Sequence, residues 1–476
     1  MESRSKKFLK DFSIYSIGNL GSKLITFLMV PLYTYFVTDP SDFGHYDLCM
    51  TFCLMALPFV TLQLREGSFR FLLSTKDLKR QQQIAAIAMR FILGSIFFVL
   101  SIALLVSEFT SVEYVWQTAF LLIPMSFYEI QSQTIRGLGD NKTFAAMSLC
   151  SSFGVGLFSI LFVAAFKMGV NGIFLANTLS RLVAILMAEY RHPVLRTVWH
   201  VSHIDKNLAI EIIKFSLPLI PTAVCWWITL SSNKYFIQYY CGLEQTGSYA
   251  VATKFSNIIQ TLSIIFYQTW QETAITQYHS KDKDKFFSKI FNVYIFALAL
   301  LLFSYTFFIK LNYHWLVGAN YQDSSQYVYL LGVATALYAI SAFFELGYQC
   351  SKETKRALPS VIATAVICLL LNWLLVPYKG AYGAIAASIA CYMFLIVYRW
   401  FETRRRYYHI QLYFQTLIPI VLVIVSSLAY AYIESVPLSI VYILFAIIVT
   451  TAFIPRFLLK KIINKVGAVI KVSSIK

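Results

Sequence analysis

Lys23 sits midway along the first apolar run of the chain, where Ser13, Ser16, Asn19, Lys23 and Thr26 recur at spacings of 3, 3, 4 and 3. On a helix that spacing forms one polar face. Further on, Lys254, Asn257, Thr261, Gln268 and Gln271 share a second face, interrupted by Ile264. A central charge in a bilayer costs about 2.5–3.5 kcal/mol on insertion scales, so both stripes must turn from lipid toward the protein interior or a wet cavity. A pair of ammonium groups there suits an anionic ligand, because it supplies the attraction that a phosphate loses on leaving water. The plainer alternative is that Lys23 and Lys254 snorkel, or pair with carboxylates such as Glu129 and Glu345.

A second cluster reads Gln63-Leu64-Arg65-Glu66-Gly67-Ser68-Phe69-Arg70. Guanidinium groups bind phosphate through two parallel hydrogen bonds, so Arg65 and Arg70 are candidates to receive a pyrophosphate, against the plain reading of a basic membrane boundary. Glu129 and Glu345 are candidates for ion coupling, by carrying a proton or coordinating Na⁺, or else they neutralise a lysine or Arg181. Arg90 lies near a boundary and reads as a snorkelling residue. No G-x-x-x-x-G-K-S/T, H-E-x-x-H or G-x-S-x-G occurs, and the seven histidines and eight cysteines show no metal-ligand spacing. No cofactor, metal or catalytic residue is expected.

These side chains must be positioned by membrane helices. The 476 residues are 58% hydrophobic and 13% charged, well outside the soluble range of about 25% charged. Fourteen apolar segments fall near 12–36, 44–64, 84–106, 115–135, 143–166, 170–188, 215–240, 247–271, 290–310, 325–347, 359–377, 381–400, 411–432 and 437–458. Most last about 20 residues, the length of a crossing helix, whereas barrel strands would alternate over roughly 10. The longest connector, Glu189 to Lys214, has 26 residues, too few for a soluble domain of about 50 or more. The expected fold is all-α and polytopic, and soluble-enzyme functions are excluded.

The net charge of +17 follows the membrane. If the first segment leaves the cytoplasm, 32 of the 40 Lys and Arg fall in inside connectors, the tail or the inside ends of segments, Lys167, Lys234, Lys310 and Lys379 fall in outside connectors or toward the outside ends of segments, and Lys23, Arg90, Arg181 and Lys254 lie deeper within segments. That asymmetry predicts two cytoplasmic termini and an uncleaved first crossing, and leaves no basic surface for nucleic acid. Pro31, Pro58, Pro124, Pro218 and Pro221 predict bent or hinged helices. The tail from Arg456 is basic and amphipathic, suited to anionic lipid heads.

An internal repeat divides the bundle. At an offset of 203, Phe12, Ser13, Ile17, Ile25, Thr26, Gly44, Tyr46 and Phe52 match Phe215, Ser216, Ile220, Ile228, Thr229, Gly247, Tyr249 and Phe255. At 211, Gly169, Gly172 and Ala176 match Gly380, Gly383 and Ala387. The expected layout is a six-helix lobe (1–190), a cytoplasmic linker (191–214), a second six-helix lobe (215–406), two further helices (407–460) and a basic tail (461–476), the lobes related by a pseudo-twofold axis along the membrane normal.

The run Ser13-Ile14-Tyr15-Ser16-Ile17-Gly18-Asn19-Leu20, with Pro31-Leu32-Tyr33-Thr34 and Asp42-Phe43-Gly44-His45-Tyr46-Asp47-Leu48, resembles the start of bacterial polysaccharide-biosynthesis flippases. Lys214-Phe215-Ser216-Leu217-Pro218-Leu219-Ile220-Pro221 and Gly247-Ser248-Tyr249-Ala250-Val251 resemble that family's seventh and eighth helices. The resemblance implies the multidrug/oligosaccharidyl-lipid/polysaccharide exporter superfamily, and within it the Wzx-type O-antigen or capsule-unit translocases. It implies an undecaprenyl-pyrophosphate-linked oligosaccharide as substrate, moved across the bacterial inner membrane by alternating access. The expected partners are that substrate, membrane lipids, a glycan polymerase and a chain-length regulator. Related flippases place cations in a central cavity, which by analogy falls to Lys23 and Lys254. Members often carry an acidic residue before a basic one late in the seventh helix, whereas this chain reads Asn233-Lys234. A multidrug exporter of the same superfamily, and a membrane glycan polymerase or ligase, are the rival expectations.

Overall fold

The computed structural model describes residues 27–412 apart from 202 and 352, together with residues 25, 421 and 425. Asn19 and Lys23, the fourteenth segment, most of the thirteenth and the basic tail lie outside the described residues. Every regular element described is helical: α1 (Phe27–Phe36), α2 (Pro40–Val60), α3 (Leu64–Leu73), α4 (Leu78–Phe109), α5 (Val115–Gly137), α6 (Asn141–Ser159, prolonged by a π turn to Ala165) and α7 (Gly169–Arg191). They are followed by α8 (Thr197–His200), α9 (Lys206–Ser216), α10 (Leu219–Ser231), α11 (Asn233–Gln277), α12 (Lys283–Leu316), α13 (Ser325–Cys350) and α14 (Ala357–Arg406).

Among the described residues, eight helical stretches are long and apolar enough to cross a membrane. Two of the eight, Lys206–Ile275 and Ala357–Arg406, are broken internally, at Gly242 (φ 87°) and Gly380 (φ 53°). Only glycine adopts such angles without steric cost, so each glycine turns the chain between successive helical segments. Phe97, Phe98, Phe153 and Trp373 stand exposed, which suits a hydrocarbon solvent.

The 211-residue repeat has a structural cause. Gly169 (φ 56°) and Gly380 (φ 53°) both take a positive φ, Gly169 as α7 opens and Gly380 at the break within α14. Three residues later, Gly172 and Gly383 lie against the backbones of Phe162 and Leu375, where a Cβ on Gly383 would collide and one on Gly172 would be tightly squeezed. Each repeat thus keeps a tight turn followed by a close approach of helix to helix.

The chain forms two compact units. The first comprises the described residues up to Lys254, with Leu316–Asp323 and Ala365–Ala384. One of its cores gathers Ile84, Ala88, Met89, Ile130, Ile135 and Met147 with Val194, Val198, Leu208 and Ile212. The 191–214 segment is therefore packed and carries α8 and the start of α9. Arg90 fastens it by donating to the Val198 carbonyl (Nη2, 2.7 Å) and to that of Val201, so this residue binds backbone instead of snorkelling. At the turn before α6, burial pushes the Asp140 carboxyl up, but bonds from the Thr143 hydroxyl (2.6 Å) and amide (3.0 Å) and from His192 outweigh it and hold the group down at about 2.

The second unit comprises Phe255–Trp315, Ser324–Thr364 and the described residues from Ile385. Its core is aromatic: Phe343 stacks on Trp270 (5.5 Å between centroids) and tilts against Phe291 (4.8 Å). The chain beyond α14 runs along α12. There the Asp284 carboxylate accepts from the His409 amide (3.0 Å), Ser288 accepts from the Gln411 amide (2.9 Å), and Asn292 donates to the Gln411 carbonyl (2.9 Å).

Within the first unit, Gly44 of α2 and its repeat counterpart Gly247 of α11 press together. A Cβ on Gly44 would strike the Leu243 carbonyl oxygen, and one on Gly247 the Pro40 carbonyl oxygen. Both obstacles are backbone, so neither yields cheaply. Gly247→Ala should therefore reduce the amount of folded protein in membranes several-fold, while Gly94→Ala, whose Cβ would meet nothing within 4 Å, should leave it unchanged. Immunoblots of membrane fractions, with detergent melting curves, check this.

Candidate functional site

The close crossing at Gly44 and Gly247 fixes what lies beside it. One turn further along α2, Asp47 meets two ammonium groups from α11: Lys254 Nζ lies 3.0 Å from Oδ1 and Lys234 Nζ 2.5 Å from Oδ2. The Asp47 side chain is 1% exposed, Lys234 14% and Lys254 26%. Lys234 also donates to Thr51 Oγ1 (3.3 Å), and α2 is clamped further by Trp227 Nε1 to the Thr51 carbonyl (2.9 Å) and by the Tyr235 hydroxyl to the Leu48 carbonyl (3.1 Å). Two cations share one carboxylate, which leaves a formal excess of one positive charge.

This geometry corrects the sequence reading at Lys234. Counted there among the outside positions, the residue is half-buried in the first turn of α11 and aimed at Asp47. Its neighbour Asn233, where the family resemblance leads one to expect an acid, belongs to a neutral network: Asn372 Nδ2 donates to Asn233 Oδ1 (2.8 Å), and Asn233 Nδ2 to the Tyr249 hydroxyl (3.3 Å). The carboxylate that answers Lys234 comes from α2 instead. At the 203-residue offset Asp47 pairs with Ala250 and Thr51 with Lys254, so the repeats have diverged at the positions that hold this charge.

Arg65 is positioned by a break in its helix. Pro58 removes a backbone donor near the end of α2, and Leu62 (φ 45°) and Gln63 (φ 55°) take left-handed conformations before α3 begins. Such conformations at non-glycine residues cost of order 1–3 kcal/mol each and gather at functional positions. Arg65 then reaches Glu129 of α5 (2.6 Å) and Glu66 (3.0 Å). Arg70, one turn beyond Glu66, is exposed.

Arg181 of α7 donates to the Asn177 carbonyl (2.7 Å) and side-chain oxygen (3.1 Å), and Asn177 in turn donates to the Tyr46 hydroxyl (3.1 Å). Glu345 lies in the second unit, where it accepts from Arg399 Nη1 (3.0 Å). Asn257 is exposed, and its carbonyl accepts from the Thr261 hydroxyl (2.8 Å). Of the residues singled out from the sequence, the structure thus brings Lys254 to Asp47, Arg65 to Glu129, Arg181 to Asn177 and Glu345 to Arg399. Asp47, Lys234 and Arg399 were not singled out. Among the described residues no three His, Cys, Asp or Glu side chains gather in a way that would hold a metal ion.

The architecture has solved counterparts. The lipid II flippase MurJ in an inward closed conformation matches with a TM-score of 0.70 at 13% identity, covering 92% of this chain and 97% of that one. An inward-facing multidrug resistance MATE family transporter of the MOP superfamily matches at 0.64 and 12% identity, covering 82% and 95%. An outward-facing one matches at 0.55 and 14%, covering 83% and 95%. At these identities the likeness establishes a shared fold. No curated protein matches the sequence significantly. The sequence does match the polysaccharide biosynthesis protein family over residues 8–271, more than half of its length, and the chain belongs to that family.

Proposed function

We propose that this protein is a flippase that carries an undecaprenyl-pyrophosphate-linked oligosaccharide, the repeat unit of an O-antigen, capsule or related surface glycan, from the cytoplasmic to the outer leaflet of the bacterial inner membrane. The observation that carries the reading is the cluster of buried Asp47 with half-buried Lys234 and Lys254, whose surplus positive charge lies within helices of membrane-crossing character. A pyrophosphate leaving water needs such compensation, and a charge surplus held among hydrocarbon needs a counter-ion. Family membership supports the glycan, and the fold shared with a lipid II flippase supports the lipid carrier. To substrate binding we also assign Lys23, Asn19 and Asn257, with Arg65 and Arg70 meeting the head group as it enters from the cytoplasm.

The protein works by alternating access between two lobes, 1–190 and 215–406, with both termini cytoplasmic. Glu129 and Glu345 exchange partners with a coupling ion as the lobes move. A glycan polymerase and a chain-length regulator receive the product. A multidrug exporter would suit cationic drugs with surplus carboxylate, the opposite of the balance at Asp47.

Purified protein in liposomes containing undecaprenyl-pyrophosphate-linked glycan should bring the glycan within reach of an external glycosidase many times faster than protein-free liposomes. Equal rates would overturn the proposal.

A further inference from the structure

The second unit contains a neutral polar cluster that recognition of charge leaves unused. Gln271 Nε2 donates to Gln349 Oε1 (2.5 Å), and Gln349 Nε2 donates to the Tyr267 hydroxyl (2.9 Å). Tyr267 and Gln271 are one turn apart on α11, as are Glu345 and Gln349 on α13. All four side chains are half-buried. Carboxamides set among crossing helices are costly to leave against lipid, so their accessible edges belong to the protein's polar interior.

The remaining hydrogen-bonding capacity is specific. With two bonds made among themselves, these three side chains retain the Tyr267 hydroxyl hydrogen, the Gln271 carbonyl oxygen and a second N–H on each carboxamide. The neighbouring carboxylate of Glu345 is already matched by Arg399, which also donates to the Ser341 carbonyl (3.2 Å). The cluster therefore offers donors and acceptors side by side without a charge surplus. An anion would want cations there and a cationic drug an unmatched carboxylate. A sugar wants this mixture, because every hydroxyl both donates and accepts. Tyr267 and Tyr338 add aromatic surface of the amphipathic kind that packs against a sugar's C–H face, and Tyr338 is itself braced by the Tyr392 ring (5.4 Å).

We propose that Tyr267, Gln271 and Gln349 form a glycan-binding site in the second unit, which hydrogen-bonds the hydroxyl and acetamido groups of the lipid-linked sugar. The assignment rests on the flippase reading, and the carboxamide cluster supplies the part of it that recognises the sugar. By the charge asymmetry of the sequence, these residues stand at the cytoplasmic ends of the eighth and tenth segments, the side on which the glycan loads.

The test compares binding of bare undecaprenyl pyrophosphate with undecaprenyl pyrophosphate bearing an oligosaccharide of hexoses or of N-acetylhexosamines, using full-length protein in nanodiscs. The native protein should hold at least one glycosylated lipid about tenfold tighter than the bare lipid, the worth of one or two net hydrogen bonds. Gln271→Leu with Gln349→Leu should erase that preference and leave affinity for the bare lipid unchanged. Lys254→Met, which leaves Asp47 paired with Lys234, should weaken both lipids alike. Equal native affinity across the panel would overturn the sugar site, as would full preference in the Leu double variant. If that variant melts early, Tyr267→Phe decides, since it keeps the ring and removes the hydroxyl, and undiminished preference there overturns the site. Failure of the native protein to bind even the bare lipid would overturn the flippase reading instead.

Discussion

Asp47→Ala should strip most of the protein from the membrane, whereas Lys234→Met and Lys254→Met should each leave it in place and sharply reduce glycan export. The difference follows from counting charges around one carboxylate. Removing Asp47 leaves two ammonium groups close together with no counter-charge, and breaking a buried ion pair from one side costs about 3–5 kcal/mol. Against a total stability of about 5–15 kcal/mol, that loss is large enough to deplete the folded population. Removing either lysine leaves one ammonium against one carboxylate, a balanced pair that still holds α2 to α11. What disappears is the surplus cation. A hydrogen bond to a charged group is worth about 1.5–3 kcal/mol, so substrate affinity should fall by roughly ten- to a hundredfold. The triple variant Asp47→Ala, Lys234→Met, Lys254→Met should recover abundance without recovering export, since it removes the uncompensated charge together with the site. Membrane immunoblots and surface-glycan staining measure the two properties separately. An abundant, melting-resistant Asp47→Ala single variant would show that the carboxylate does not hold the lysines in place.

The parts of this cluster differed in how visible they were in the sequence. Lys254 stood out because a lysine inside a long apolar helix is rare and its polar neighbours recur at helical spacing. Asp47 did not, because α2 opens with Asp39, Asp42 and His45, and a further acid three residues after Gly44 reads as part of the same polar boundary. Its significance depends on the contact between Gly44 and Gly247, 203 positions apart, which no local pattern reports. Lys234 was misplaced for a related reason. It lies near the end of an apolar segment, and a charge there looks solvated until a partner from another helix is seen to cover it. The glycines of the repeat behaved differently. Gly169 and Gly380 were matched as residues only, and their common positive φ explains the match, since a backbone requirement leaves a trace in residue type where a packing partner does not. The 191–214 connector was legible as a linker between apolar segments but not as a packed element, because its anchoring runs through backbone carbonyls that accept from Arg90.

Glu345 and Arg399 pose the same problem with the charges reversed in accessibility, and Glu345→Ala should be among the most destabilising substitutions in the second unit. The Arg399 side chain is 0% exposed and Glu345 30%, so the guanidinium depends on its carboxylate far more than the carboxylate depends on it. Two further contacts, the Ser341 carbonyl at 3.2 Å and the Ser360 hydroxyl at 3.4 Å, are neutral acceptors that do not balance a full charge. Loss of the partner should cost about 3–5 kcal/mol, read as a strongly lowered melting temperature in detergent and scant protein in membranes. Replacing both residues by apolar ones of similar volume, Glu345→Leu with Arg399→Met, should return most of that stability, because a buried pair roughly breaks even against good apolar packing. The double variant also separates two roles for Glu345. If the carboxylate only neutralises Arg399, glycan export should return with abundance. If it also takes part in ion coupling, the double variant should be abundant but slow, and its residual transport should no longer respond to collapse of the proton gradient or removal of Na⁺. A Glu345→Ala single variant as stable as the native protein would refute the pairing energetics from which both expectations follow.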